Sequence, residues 1–179
     1  MNKKLIPLLL VFVALFQGCR GPEGPQGPAG NELIGKTIDL VGVNFTADNK
    51  YQYSMTWDDA DLEVFDSDAV LIYSNWETVN SNNQDVDAYR LLPLTVYLPN
   101  GILSYNFDRT VNDFRIFLDG TANRGTLEPV YTRNQEFRII VIPSGFAART
   151  SGALDYNDYN AVVKAFNIDE SKIRKVSVK

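Results

Sequence analysis

Six carboxylates fall within eleven residues, at Asp58, Asp59, Asp61, Glu63, Asp66 and Asp68. Hard oxygen ligands at that density suit calcium. Yet no glycine holds the turn position of an EF-hand loop, and Leu62, Val64 and Phe65 interleave as core anchors do. The run reads as a solvated acidic crossover between strands, with calcium binding left open. Asp155, Asn157 and Asp158 form a second oxygen-rich group, which helix capping explains. Paired carboxylates hydrolyse glycosidic bonds without histidine, but the spacing here selects no pair. Trp57 and Trp76 have faces suited to stacking on sugar rings. Trp57 continues the face of Tyr51, Tyr53 and Met55, which assigns it to the core. Cys19 is the only thiol.

The absences narrow the chemistry further. The chain of 179 residues contains no histidine, which removes the commonest general base, metal ligand and pH switch. A single cysteine rules out internal disulfides and cysteine-rich metal sites. Zinc, copper, haem and iron–sulfur centres lose their usual ligands, as do Ser-His and Cys-His nucleophiles. No catalytic, cofactor or metal residue is assigned, and the chain is expected to be a non-enzyme. A net charge of −5 disfavours nucleic acid and anionic head groups as partners. With 45% hydrophobic and 22% charged residues, the composition suits one folded domain plus an appendage.

The appendage is N-terminal. Lys3 and Lys4 precede an apolar run of twelve residues, Leu5 to Phe16. At about 1.5 Å per residue it spans roughly 18 Å, short of a ~30 Å hydrocarbon core, so it reads as a signal-peptide segment. The run ends in Phe16-Gln17-Gly18-Cys19, which resembles the lipobox of bacterial lipoproteins: Gly18 fits the small position, while Phe16 and Gln17 replace the commoner Leu and Ala or Ser. The resemblance implies cleavage before Cys19, lipidation of Cys19 and a bacterial envelope location. Arg20, where an Asp would mark retention, implies passage to the outer membrane, on either its periplasmic or its exterior face. The expected divisions are a signal peptide over 1–18, a lipidated tether over 19–32 and a domain over 33–179.

Three Gly-Pro-X triplets follow the cysteine, Gly21-Pro22-Glu23, Gly24-Pro25-Gln26 and Gly27-Pro28-Ala29. This is the collagen period, but so short a run supplies few interchain hydrogen bonds. A polyproline-like spacer is expected, about 30 Å long at ~3.1 Å per residue, and a monomer rather than a collagen-type trimer.

From Lys36 onward the pattern is alternation. Strands are expected at Ile38–Phe45 with a bulge or close approach at Gly42, Tyr51–Trp57, Ala69–Tyr73, Leu92–Leu98, Ile102–Phe107, Phe114–Leu118 and Phe137–Val141, with a last one around Val176 and Val178 to rejoin the sheet. Leu98-Pro99-Asn100-Gly101 marks a hairpin. Pro93 argues for an edge or bulge, and residues 80–87 read as a polar loop. One helix carries Tyr156, Tyr159, Val162, Val163 and Phe166 on one face, with Asp155 as its cap. The predicted fold class is all-β with one C-terminal helix, an Ig-like β-sandwich of about seven to eight strands, with a closed barrel second.

The segments 69–73 (AVLIY), 90–99 (RLLPLTVYLP), 114–120 (FRIFLDG) and 137–143 (FRIIVIP) resemble uncharacterised Gram-negative lipoproteins labelled collagen-like, several of which carry Gly-Pro-X triplets behind the lipobox. The resemblance implies an envelope-anchored β-sandwich with no catalytic residues. The expected function is a non-catalytic binding or structural module with a protein or glycan ligand. The alternatives are a glycan-binding aromatic platform and a small carboxylate-dependent glycoside hydrolase.

Overall fold

The computed structural model describes residues 36–147 and 154–178. Cys19, the expected signal peptide and the expected Gly-Pro-X tether lie outside the described residues.

Strict alternation builds the sheets. In Asp113–Gly120, Phe114, Ile116 and Leu118 are buried while Arg115 and Phe117 point outward, as a period of two requires. Nine strands form among the described residues: β1 (Lys36–Val43), β2 (Gln52–Thr56), β3 (Ala69–Ser81), β4 (Gln84–Leu91), β5 (Leu94–Leu98), β6 (Gly101–Arg109), β7 (Asp113–Gly120), β8 (Gln135–Ile142) and β9 (Arg174–Ser177). They make two open sheets, ordered β4-β3-β8-β1-β9 and β2-β7-β6-β5. The sheets are open, which removes the closed barrel. All pairings are antiparallel except β1 with β9.

One core draws on both sheets. Ile38, Leu40, Ile72, Phe137 and Ile139 come from the five-stranded sheet; Leu103, Tyr105, Phe114 and Ile116 come from the four-stranded one. Tyr105 sits at the join, its ring 6.2 Å from Phe45 and 6.4 Å from Phe137. Its hydroxyl donates to the Tyr131 carbonyl at 2.7 Å, which removes the penalty of burying a phenol. A second cluster covers the other face of the five-stranded sheet. Helix α2 (Tyr159–Ala165), which follows the single turn α1 (Ser144–Ala147), lays Tyr159 and Val162 over Tyr73, Ile140 and Ile142. Strand β8 is therefore buried on both faces, and its run of Phe137 to Ile142 is continuous rather than alternating for that reason.

Several expectations hold in detail. Gly42 lies at φ 82° inside a register shift of β1 between Leu40 and Val43, a bulge that only glycine makes without strain. The acidic stretch does cross between sheets, from β2 to β3. The terminal strand does rejoin a sheet, as β9.

Others need correction. Residues 80–87 are not a loop: β3 runs on to Ser81 and turns at Asn82-Asn83 into β4. Both asparagines have positive φ, 53° and 61°, the pattern of a type I′ hairpin turn. The ribbon extends past the sheet with solvent on both sides, so its sequence shows no apolar alternation. The expected strand Leu92–Leu98 is divided, since β4 ends at Leu91 in one sheet and β5 starts at Leu94 in the other. Pro93, lacking an N–H, marks the change of sheet rather than a bulge, and β5 behind it is an edge strand, as the other alternative expected. The helix is capped by Asp158, whose carboxylate accepts the Ala161 N–H at 3.0 Å. Asp155 instead accepts from Asn157 in the preceding turn. Tyr156 lies before the helix and is exposed, and Phe65 is exposed rather than an anchor.

Candidate functional site

One recess is produced by strands of unequal length. Pairing of β3 with β8 stops at Ser74 and Phe137, while β3 continues with β4 alone. The β3–β4 register shifts between Asn75 and Glu77. Trp76 is the extra residue, and a bulge re-aims the side chain it carries. A recess of about 350 Å³ opens between this part of the hairpin and the chain leading into β8.

Trp76 lies between other groups rather than on open surface. Its ring meets Tyr105 edge-on at 6.3 Å and Tyr131 at 6.5 Å. The Arg90 guanidinium stands 4.9 Å from its ring centroid and is held by Glu77 at 3.3 Å. Arg90 is not among the residues that line the recess.

The opposite wall is braced. The 3-10 turn Pro129–Tyr131 is fixed by the Tyr105 hydroxyl. The Gln135 amide donates to the Val130 and Arg133 carbonyls at 2.9 and 2.8 Å. Asn44 accepts the Asn134 N–H at 3.1 Å, which suits an asparagine at φ 51°.

Within this frame the side chains of Asn75, Asn134 and Glu136 and the indole N–H of Trp76 have no hydrogen-bond partner among the described residues. Glu77 and Asp87 also line the recess; Glu77 accepts from Arg90 and Asp87 from Thr78. The three carboxylates are exposed. What the recess offers is a polar lining of hydrogen-bonding groups, with Trp76 its only aromatic residue.

The residues singled out in the sequence are thus dispersed. Trp57, 3% exposed, belongs to the core against Phe114 and donates its indole N–H to the Thr110 carbonyl. Trp76 reaches a recess, but with one tyrosine tilted by 34° rather than a coplanar platform. In the acidic run, Asp59 accepts from Thr56, Glu63 pairs with Lys36, and buried Asp68 accepts the N–H groups of Phe65 and Ser144. Among the described residues no group of three or more acids is placed to hold a metal ion.

One cluster escaped sequence reasoning. Asp39 of β1 and Arg138 of β8 are register partners, 8% and 5% exposed, under α2. Arg138 donates two bonds to Asp39, at 2.7 and 2.9 Å, a bidentate pairing. It also donates to the Tyr159 hydroxyl and to Glu170, and its guanidinium lies 4.4 Å from the Tyr89 ring centroid. Tyr159 in turn donates to Glu170 at 2.6 Å. Burial works against the guanidinium charge, but Asp39, Tyr159 and Tyr89 together outweigh it, so the Arg138 pKa rises. The network clamps α2 and the 3-10 turn Glu170–Lys172 to the sheet. Its sequence signal was the placing of single charges in apolar strands, at Ile38-Asp39-Leu40 and Phe137-Arg138-Ile139.

Burial raises the hydroxyls of Tyr73, Tyr105 and Tyr159 above the ordinary 10.0, with a hydrogen bond to Glu170 adding to the rise at Tyr159. The unfolded chain ionises its tyrosines near pH 10 while the folded chain keeps these protonated. Their contribution is complete below about pH 10 and is lost as pH climbs past it. Phenolate absorbance followed alongside circular dichroism is expected to show a late group of tyrosines ionising together with unfolding. Ionisation of every tyrosine before any unfolding would contradict this.

Comparison with protein-family models, curated proteins and solved structures finds no match.

Proposed function

We propose that the chain is an envelope lipoprotein, lipid-anchored at Cys19 in the outer membrane, whose domain is a non-catalytic binding module. The observation that carries the anchor is the position of the only cysteine, directly behind a twelve-residue apolar run and ahead of the Gly-Pro-X triplets. The binding role is supported by the recess beside Trp76, where a braced wall surrounds unpartnered hydrogen-bonding side chains. Two open sheets around a shared core support the Ig-like β-sandwich; the parallel β9 and the covering helix are additions to that plan. The likeness to collagen-like lipoproteins rests on the motifs alone.

A glycan is the second reading, favoured by the free amide and carboxylate groups beside Trp76. Trp76 gives it a direct test. Trp57 is buried, so changes in tryptophan emission report chiefly on Trp76. Titration with envelope saccharides and peptides is expected to shift that emission, and Trp76→Ala and Asn134→Ala, followed by calorimetry, each to weaken binding at least tenfold, or about 1.4 kcal/mol. Binding that survives both changes places the ligand elsewhere. Saturable binding by peptides with silence across saccharides removes the glycan reading.

A further inference from the structure

We propose that β5 is a self-association edge, at which two copies of this chain join their four-stranded sheets through antiparallel pairing of Leu94–Leu98 with itself. The inference does not depend on acylation or on the Trp76 recess.

The backbone identifies which groups are open. Leu98 and Gly101 close a two-residue turn, and Tyr97 lies opposite Ile102. Ile102 turns its own N–H and carbonyl to the other side: the carbonyl accepts from Thr121 and Ala122, and the N–H donates to the Thr121 hydroxyl. Tyr97 and Ile102 are therefore a non-hydrogen-bonded pair, and the N–H and carbonyl of Tyr97 point away from β6. Thr95, two residues earlier, points the same way. No described residue pairs with that side of β5, which ends its sheet.

The other three edges are guarded. Strand β4 carries Asp85, Asp87 and Arg90 and a register shift. Strand β9 has four residues, two of them Arg174 and Lys175. Strand β2, QYSMT, is itself uncharged, but Asp58 and Asp59 follow its end after one intervening residue. These are the devices that keep sheet edges from pairing. Strand β5, LTVYL, has no charge and no proline within it. For a chain of net charge −5, an uncharged edge is where a second copy meets least repulsion.

The strand is also complementary to itself. A two-fold axis through Val96 sets Thr95 of each copy opposite Tyr97 of the other, so the four open backbone groups on each copy's edge are all satisfied. Leu94, Val96 and Leu98, which face the core but stay only part-buried, then close against their counterparts. Tyr97, 82% exposed, covers Thr95 across the join. Two five-residue strands bury less than the roughly 1,000 Å² of a stable interface. The pair is accordingly weak in dilute solution and forms where copies are concentrated.

Cross-linking tests both pairing and register. Full-length Thr95→Cys and Tyr97→Cys chains, reconstituted in phospholipid vesicles at high surface density, are oxidised separately and as a mixture. The unsubstituted chain, carrying only Cys19, is the blank. Positions 95 and 97 of opposite copies are about 5.5 Å apart in this register, within disulfide reach, while like positions are further apart than about 7 Å. The mixture is expected to cross-link at least tenfold faster than either variant alone. Equal rates, or none above the blank, overturn the proposal. Thr95→Pro removes only an outward N–H and so leaves the β5–β6 pairing intact. Placed in the Tyr97→Cys chain and mixed with the Thr95→Cys chain, it is expected to abolish the cross-link without changing the melting temperature; a cross-link that persists overturns the pairing.

Discussion

Replacing Arg138 with alanine is expected to cost about 3–5 kcal/mol of stability, because it leaves the Asp39 carboxylate buried without its partner. For a domain whose total stability is of order 5–15 kcal/mol, that is about a fifth of the whole or more. Asp39 is 8% exposed and takes two bonds from this one guanidinium. The same change frees Tyr159 and Glu170, so α2 loses its polar fastening along with the salt bridge. Urea denaturation gives the magnitude, and hydrogen exchange over 159–172 shows where the loss is felt. A second variant separates the buried charge from the clamp. Arg138→Met with Asp39→Leu removes both charges and is expected to recover most of the loss, since a buried pair exchanged for apolar side chains is often neutral. A cost below about 1 kcal/mol for Arg138→Ala would mean that Asp39 is solvated after all.

The second large effect concerns location. Cys19→Ser is expected to remove the chain from the outer-membrane fraction essentially completely, leaving a precursor that retains residues 1–18. Each buried methylene of an acyl chain contributes about 0.8 kcal/mol, so two or three chains hold a protein almost permanently, whereas one holds it marginally. A serine at that position offers no sulfur for the thioether. The twelve-residue apolar run is too short to replace the anchor by spanning the bilayer. Fractionation of cells producing each form measures the effect. A Cys19→Ser chain that still sediments with the outer membrane would show that something other than an acyl chain holds it there.

Alternation was readable in the sequence wherever one strand face is buried and the other wet. Phe114, Ile116 and Leu118 announced β7, and Tyr53 and Met55 announced β2. The Pro99-Asn100 turn and the Gly42 bulge were legible because each needs particular backbone angles. The far half of the β3–β4 hairpin was not, since a ribbon in solvent on both sides has no apolar face to show. The split at Pro93 was hidden because the chain changes sheets between two apolar runs that join without a gap. The helix cap was misplaced from Asp158 to Asp155 because either aspartate can cap, and only packing of Tyr159 on Tyr73 decides between them.

The site was less legible than the fold. Trp76 stood out by type, but the bulge at 75–77 and the short β8 that open its recess are relations between strands. Arg138 and Asp39 lie 99 positions apart; only the register of β1 on β8 brings them together. The open edge of β5 was visible as an uncharged strand behind Pro93, which argued for an edge or a bulge. The expectation of a monomer came from the shortness of the Gly-Pro-X run, which says nothing about a sheet edge remote in sequence from it.

The Trp76 recess and the β5 edge gain their context from the way the domain is held. Mass spectrometry of the N-terminal peptide, taken from chain extracted out of the membrane fraction, examines that directly. The account predicts a mature chain that begins at Cys19, carries acyl groups on that residue and lacks residues 1–18. A mature chain with an unmodified Cys19, or one that begins at any other residue, would contradict it.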